Sequence, residues 1–534
     1  MTSPQGPDPE ATFSVWTRPW VPVVGTDGAS TTVGLRELVA TAHRLRRIAG
    51  ESPTMTAALH RLVLALLHRV YGPPTDEAWH ELWLAEAFPT AELDRYGSEF
   101  AAAFDLFDAE RPFLQSKALR ALAPATPAKL VPYRAVGNNV TLFDHTTSAD
   151  VIELSPADAA RWLVTVHAYD PGGMKTPFAK DKSSERALGN NFGMVLVEGG
   201  TLRETLLLNL LVYAPEPGSD DAPAWERPQS PPGTPGPARR SHGWTELLTW
   251  PSRRVVLHPA VRDGAVVVTG VAITPGERLK VDLPLEEKLA AFRTPRDAKG
   301  RLKRSDGLQA VRLDRRRGVW RHSVELLVVD TREEGRSRQR PPALDQIDRF
   351  DEVVPASTVY TLRVFGQRLD SKASVIEAWS EESVSAPVAL LRARDVRLGA
   401  MLGTAIALAD NAGSAVRALQ TGFRTDMRAK AAGDLDTAYW PSLQRPFDDL
   451  LRNLGAARTG GTPEIVPLRA WADAVVRLAR DSVDQWSRGS LQEGRALLAL
   501  GRHHNEFNRR LIAERTTFLN KMTRYPGPDE ENDG

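Results

Sequence analysis

Residues 464–488 read EIVPLRAWADAVVRLARDSVDQWSR, helical in pattern from end to end. They sit inside a run from about residue 384 to 523 that shares this character and has few strand signals. The run predicts four long helices, over about 386–432, 434–456, 464–488 and 490–523. Gly455, Gly460-Gly461 and Pro463 supply short breaks between them. Four consecutive helices with short connections predict an antiparallel bundle. The tail after it, 524–534, is acidic and is expected to be disordered, as are residues 1–12.

Upstream of the bundle the pattern is mixed. Leu35, Leu38, Val39, Ala42, Leu45 and Ile48 fall on one helical face and predict a helix over Leu35–Gly50. Further helices are expected over Met55–Tyr71, Asp76–Phe88, Ala91–Asp108, Ala157–Tyr169 and Leu202–Tyr213. Strands are expected near Phe13–Val24 and over Arg253–Leu257, Ala265–Ile273, His322–Val329 and Thr358–Phe365. Residues 215–241 are dense in Pro, Gly, Ser and Asp, and read as a linker or a disordered excursion. The expected fold is therefore α+β: a mixed α/β body over 13–383, then the C-terminal four-helix bundle over 384–523. A length of 534 residues fits roughly two or more cores.

Composition narrows the function. The 68 basic and 67 acidic residues leave a formal net charge of +1, which excludes a uniformly basic nucleic-acid coat but not local basic patches. Cysteine is absent, so disulfides, Cys-bound zinc, iron–sulfur clusters and thiol catalysis are excluded. Met1–Glu10 is polar, and the most apolar stretch, Leu62–Val70, is interrupted by His68 and Arg69. The chain reads as soluble and cytoplasmic, with no membrane partner.

Three segments carry candidate binding chemistry. In DPGGMKTP (170–177), Gly172 and Gly173 let backbone approach a ligand closely, and Lys175 offers a charge to a phosphate. The spacing is not that of a P-loop, and an ordinary turn with a solvated lysine is the plain alternative. GNNVTLFDH (137–145) gathers Asn138, Asn139, Phe143, Asp144 and His145, with amides suited to base edges and rings suited to stacking. A loop that merely docks through Phe143 would look the same. Arg293–His322 concentrates basic residues, ending in Trp320 and His322, and suits either a phosphate-tracking surface or a solvated loop. His503-His504 is the densest histidine pair, but adjacent helix positions point ~100° apart and do not chelate one metal. No nucleophile elbow, dinucleotide fingerprint or zincin motif occurs, so no catalytic residue, metal site or cofactor is expected.

Several segments, in order along the chain, resemble one known family. They are FSVWTRPWVPV (13–23), HRLRRIAGESP (43–53), ERPFLQ (110–115), NNVTLFDH (138–145), PGGMK (171–175), AWE (224–226) and LTW (248–250). Together they resemble the large-subunit family, CasA/Cse1, of the type I-E CRISPR surveillance complex Cascade. The resemblance runs from about residue 13 to 523 and is strongest before residue 260. It implies a non-catalytic subunit that recognises the protospacer-adjacent motif in double-stranded DNA from the minor groove. It also implies help in unwinding the target and recruitment of the helicase–nuclease. Its implied partners are target DNA, the guide-RNA-bearing backbone, small and 5′-end subunits of Cascade, and that helicase–nuclease. Guide pairing reads the target, while protein reads the short flanking motif.

The family's glycine loop matches Gly172 and Gly173, and its groove-entering lysine falls at Arg278 or Lys280. Its wedge corresponds to GQRLDSKAS (366–374), which includes Arg368. There Ser371 and Lys372 replace an Asn-Gln pair, so Lys372 would insert its aliphatic stem or bind phosphate. The motif-sensing or docking loop matches Asn138–His145. Some relatives carry a cysteine cluster that this chain lacks. Because the minor groove carries a degenerate code, such a reader should accept several motifs. A scaffold subunit that never touches DNA, and a metal-dependent nuclease built around His503 and His504, are the rival readings.

Overall fold

A computed structural model describes residues 11–134, 152–178, 181–227, 237–295, 297, 303, 307–313, 318–330, 336–428, 435–490 and 494–524. The chain divides into two compact units, one of residues 1–290 and 364–381, the other of 291–363 and 382–534. Residues 291–363 thus join the C-terminal helices, and the hairpin that follows returns to the first unit.

The first unit opens with β1 (Val21–Gly25), β2 (Ser30–Val33), α1 (Leu35–Ala40) and β3 (Leu45–Ile48). The helix expected over 35–50 stops at Ala40. Residues 45–48 instead form a third strand on β1, pairing Val23 with Ile48 and Gly25 with Leu45. The free edge of β1 decides between two readings that so short an apolar run leaves open. Then come α2 (Pro53–Val70), α3 (Asp76–Leu84) and α4 (Thr90–Glu99). Ser52 caps α2 by accepting the Met55 N–H. Arg61 lies fully buried in α2, bound to the Glu287 carboxylate at 3.0 Å and the Leu247 carbonyl at 3.1 Å. Removing one partner of such a pair costs about 3–5 kcal/mol. Helix α4 ends at Glu99, short of its expected limit at Asp108, because Phe104 turns inward through a 3-10 turn at Ala102–Phe104. Phe104 packs on Trp16 (4.8 Å between ring centres) and Trp225 (5.8 Å).

Helix α5 (Pro156–Tyr169) leads into the short hairpin of β4 (Gly173–Phe178) and β5 (Asp181–Ser184). After β6 (Met194–Glu198) and α6 (Leu202–Asn209), the Pro-rich stretch follows. Its described flanks are packed rather than loose: Asp221 accepts the N–H groups of Thr245 and Glu246 at the start of α7 (Trp244–Leu248), and Trp225 is buried. β7 (Arg253–Arg262) and β8 (Ala265–Pro275) form a long antiparallel hairpin, and α8 (Leu283–Glu286) closes the segment.

The second unit holds a small sheet of β9 (Phe292–Arg293), β10 (Gln309–Ala310) and β11 (Arg338–Gln339), with α9 (Ser323–Leu327) and α10 (Pro342–Arg349). The strand expected over 322–329 is instead a 3-10 turn followed by α9. His322, Ser323, Leu326 and Leu327 are buried, a spacing that fits one helix face and not alternation. β12 (Val359–Leu369) and β13 (Ile376–Pro387) then form a hairpin sheet with β6, in the order β13-β12-β6. The helices follow: α11 (Val388–Leu391), α12 (Val396–Met427), α13 (Asp436–Ser442), α14 (Gln444–Gly460), α15 (Ile465–Ser490) and α16 (Gly494–Met522). The first long helix starts at Val396 rather than 386 because Asp395 caps it, accepting the Leu398 N–H at 2.7 Å. The expected 434–456 helix is two pieces, with Pro441 inside the first. Trp320, Phe447 and Trp471 form the aromatic centre of this unit, and the Trp471 ring N–H donates to the Ala405 carbonyl.

Candidate nucleic-acid interface

Helix α5 ends at Asp170, and Pro171 forbids its continuation. The two glycines that follow meet the hairpin turn between β12 and β13, although nearly 200 residues separate them in sequence. The Gly172 N–H donates to the Ala373 carbonyl at 2.8 Å. A Cβ on Gly172 would lie 3.2 Å from that oxygen, from the Arg186 nitrogen and from the Ser184 oxygen. Gly173 has φ of +105°, which side chains rarely adopt. The glycine loop and the turn at 370–375 therefore form one edge of the first unit.

The turn is organised by Asp370. Its carboxylate accepts the N–H groups of Ser374 (2.7 Å), Val375 (2.8 Å) and Lys372 (3.3 Å). Those N–H groups, Val375's first and Ser374's next, hold its carboxyl below the usual carboxylate range. Ala373 takes a left-handed conformation, φ 54°. Ser371 and Lys372 stand exposed at the tip, and Lys372 has no ion-pair partner among the described residues. Arg368 is also exposed but lies against Glu377 at 2.7 Å. Gln367 fastens the hairpin to the loop: its amide donates to the Tyr169 carbonyl (2.6 Å) and the Asn190 side chain (2.7 Å), and it accepts the Trp379 ring N–H.

Lys175 is placed differently from the open cation its position suggested. Its ammonium is paired with Asp170 at 2.6 Å. Arg253 binds the same carboxylate and donates to the carbonyls of Pro171 (2.9 Å) and Glu185 (2.8 Å). Burial works to raise the Asp170 carboxyl, but Arg253 and Lys175 together hold it below the usual range. Asp170, Arg253, Asn190 and Gln367 are the supports that sequence reasoning missed. Asp170 lies in the quoted loop, but no local pattern pairs it with an arginine 83 positions away.

Arg278 and Lys280 are exposed, on a segment whose backbone pairs with Arg239: the Arg239 N–H donates to the Arg278 carbonyl and the Lys280 N–H to the Arg239 carbonyl. This segment leaves the end of β8 at which Pro275 lies opposite Arg253. The loop residues Asn138, Asn139, Phe143, Asp144 and His145 lie outside the described residues. So do Arg296, Lys299, Arg301, Arg304 and Arg315–Arg317 of the basic stretch. Within its described part, Trp320 and His322 are buried and Arg321 pairs with Asp410, so the rings offer no stacking surface. His503 binds Asp426 and His504 binds Asn508, two separate partners. Among the described residues no three His, Cys, Asp or Glu side chains gather where they could hold a metal ion, and no helix is long and apolar enough to cross a membrane.

Comparison with known proteins identifies the family and the fold. The model of the family described as CRISPR-associated protein Cse1 matches residues 15–482. A CRISPR-associated protein CasA/Cse1 of Thermus thermophilus is 35% identical over 319 residues, 59% of this chain, and the matched part spans 60% of that relative's length. The crystal structure of Cse1 from Acidimicrobium ferrooxidans is 26% identical with a TM-score of 0.78, over 96% of this chain and 100% of that one. Cse1 of Thermobifida fusca is 27% identical with a TM-score of 0.78, over 95% and 98% of the two chains.

Proposed function

The chain belongs to the CRISPR-associated protein Cse1 family, and from that premise we propose that it is the large, DNA-reading subunit of a type I-E Cascade. In this role it recognises the protospacer-adjacent motif in double-stranded DNA, helps open the duplex for the guide RNA, and recruits the helicase–nuclease. It works beside the backbone, small and 5′-end subunits, catalyses nothing itself and needs no cofactor. The observation that carries this reading is the bond from Gly172 to Ala373, which joins two adjacent glycines to a turn tipped by Ser371 and Lys372. Bare backbone can approach the floor of a minor groove, and one exposed ammonium beside it can meet a phosphate or follow the groove inward. Lys175, tied to Asp170, stiffens the loop in this scheme, and Arg278 or Lys280 supplies the second cation.

Gly172→Asp in the reconstituted guide-loaded complex is expected to abolish tight duplex binding, but it also crowds Ala373. Lys372→Ala separates contact from packing because its side chain is exposed. It should weaken matched-duplex binding and lower the slope of log affinity against log salt by about 1. Unchanged affinity and slope would favour a scaffold that does not touch DNA.

A further inference from the structure

Three of the segments that carry the family resemblance, 110–115, 224–226 and 248–250, have no part in the interface above, yet all contribute to the wall of one cavity in the first unit. The cavity encloses about 460 Å³, within the range of about 300–1,000 Å³ that small-molecule sites occupy. Part of its wall is apolar, from Pro112, Leu114, Ala224 and Pro251. The rest is strongly charged, with six basic side chains and four carboxylates.

Every one of those carboxylates already holds a cation. Glu110 holds Lys117, Glu226 holds Arg69 (2.7 Å), and Arg239 bridges Glu246 (2.7 Å) and Glu277 (2.5 Å). Arg227 also reaches Glu246, and Arg253 is bound to Asp170. Arg111 and Arg254 have no carboxylate among the described residues. Arg111 donates only to the carbonyls of Trp225 (3.2 Å) and Glu226 (3.3 Å), and Arg254 reaches the Pro275 carbonyl at 3.5 Å. The segment carrying Arg111 is fastened along β7, which carries Arg254. The Ser116 N–H donates to the Val255 carbonyl (2.8 Å), and Gln115 accepts the Leu257 N–H (2.7 Å). Two guanidinium forks without counter-charge thus sit on rigid backbone beside an apolar wall.

We propose that this cavity binds a nucleoside phosphate, with Arg111 and Arg254 on the phosphate and the base against Pro112, Leu114 and Ala224. A phosphate monoester carries about −1.5 to −2 charges, which matches two unpaired guanidinium groups, and the planar fork suits its oxygens. Inorganic phosphate alone would leave the apolar wall uncovered.

The test is calorimetric titration of the purified full-length chain with adenosine 5′-monophosphate, adenosine, inorganic phosphate and a trinucleotide with or without a 5′-phosphate. The monophosphate or the phosphorylated trinucleotide should bind one to one, and adenosine and phosphate alone should bind at least about tenfold more weakly. Tighter binding of the monophosphate marks a free nucleotide as the ligand, and tighter binding of the phosphorylated trinucleotide marks a strand end. Arg111→Ala and Arg254→Ala should each weaken binding about tenfold with unchanged melting temperature. Flat titrations with both phosphorylated probes, or an Arg254→Ala protein that folds and binds as tightly as wild type, would overturn the proposal. No duplex is present in this titration, so its failure leaves the flanking-motif reading standing, and the reverse also holds.

Discussion

A lysine next to two glycines looks like a phosphate ligand until its neighbour is known. Lys175 was legible as a charge, but not as the partner of Asp170, whose carboxylate it shares with Arg253. Lys372 is the opposite case: the turn leaves it exposed, with no ion-pair partner among the described residues. The buried histidines make a further point at this scale. Burial pushes His68 down to about 3 and His167 to about 4, although the Leu114 carbonyl on His167 works the other way. The unfolded chain protonates these rings near pH 6.5, whereas the folded protein keeps them neutral to much lower pH. Their favourable neutral state therefore stabilises the fold fully above about pH 6.5, and that contribution is lost as pH falls toward 4 and below. Neither ring nitrogen of His68 has a hydrogen-bond partner among the described residues. His68→Leu should leave stability at pH 7 unchanged or raise it by up to about 1 kcal/mol, and should flatten the fall in melting temperature between pH 6.5 and 4.5. An equally steep fall in the variant would contradict this assignment.

Among elements, those whose apolar period was long and capped were read to within a few residues. Met55–Tyr71 was expected and Pro53–Val70 is found; Ala157–Tyr169 was expected and Pro156–Tyr169 is found. The failures at 45–48 and 322–329 involve short runs, where a waiting strand edge or a helical spacing of buried residues decides. β13 was not anticipated: only its last four residues are fully buried, so most of its length carries little alternation to read. Yet β13 completes the hairpin on which the proposed interface depends. Asp370 organises that turn through three backbone N–H groups. Asp370→Ala should weaken duplex binding as much as Lys372→Ala does, with little change in melting temperature, because the turn is exposed. Asp370→Asn, which keeps an acceptor oxygen, should retain more. Equal loss in the Ala and Asn variants would argue that the carboxylate charge, and not the turn geometry, matters.

Over the whole molecule, a change of pattern near residue 384 was read as the border between a mixed body and a helical C-terminus, whereas the chain passes from one unit to the other after Ala290, Arg363 and Glu381. That residues 291–363 fold with the C-terminal helices was not legible, because the link runs through single buried rings. Trp320 packs on Phe447, and Phe447 on Trp471. Trp471→Ala should cost about 3–5 kcal/mol, seen as an earlier guanidinium-induced transition; a loss below about 1 kcal/mol would mean that this centre does not hold the second unit together. The candidate site was legible as two segments, 170–177 and 366–374, but not as one surface, since only the fold brings Gly172 to Ala373. The central claim is tested most directly by duplex binding to the guide-loaded complex, with and without this chain, at fixed salt, over targets that differ only in the flanking motif. The account predicts that tight binding and motif preference both appear only when the chain is present. Unchanged binding and preference in its absence would contradict it.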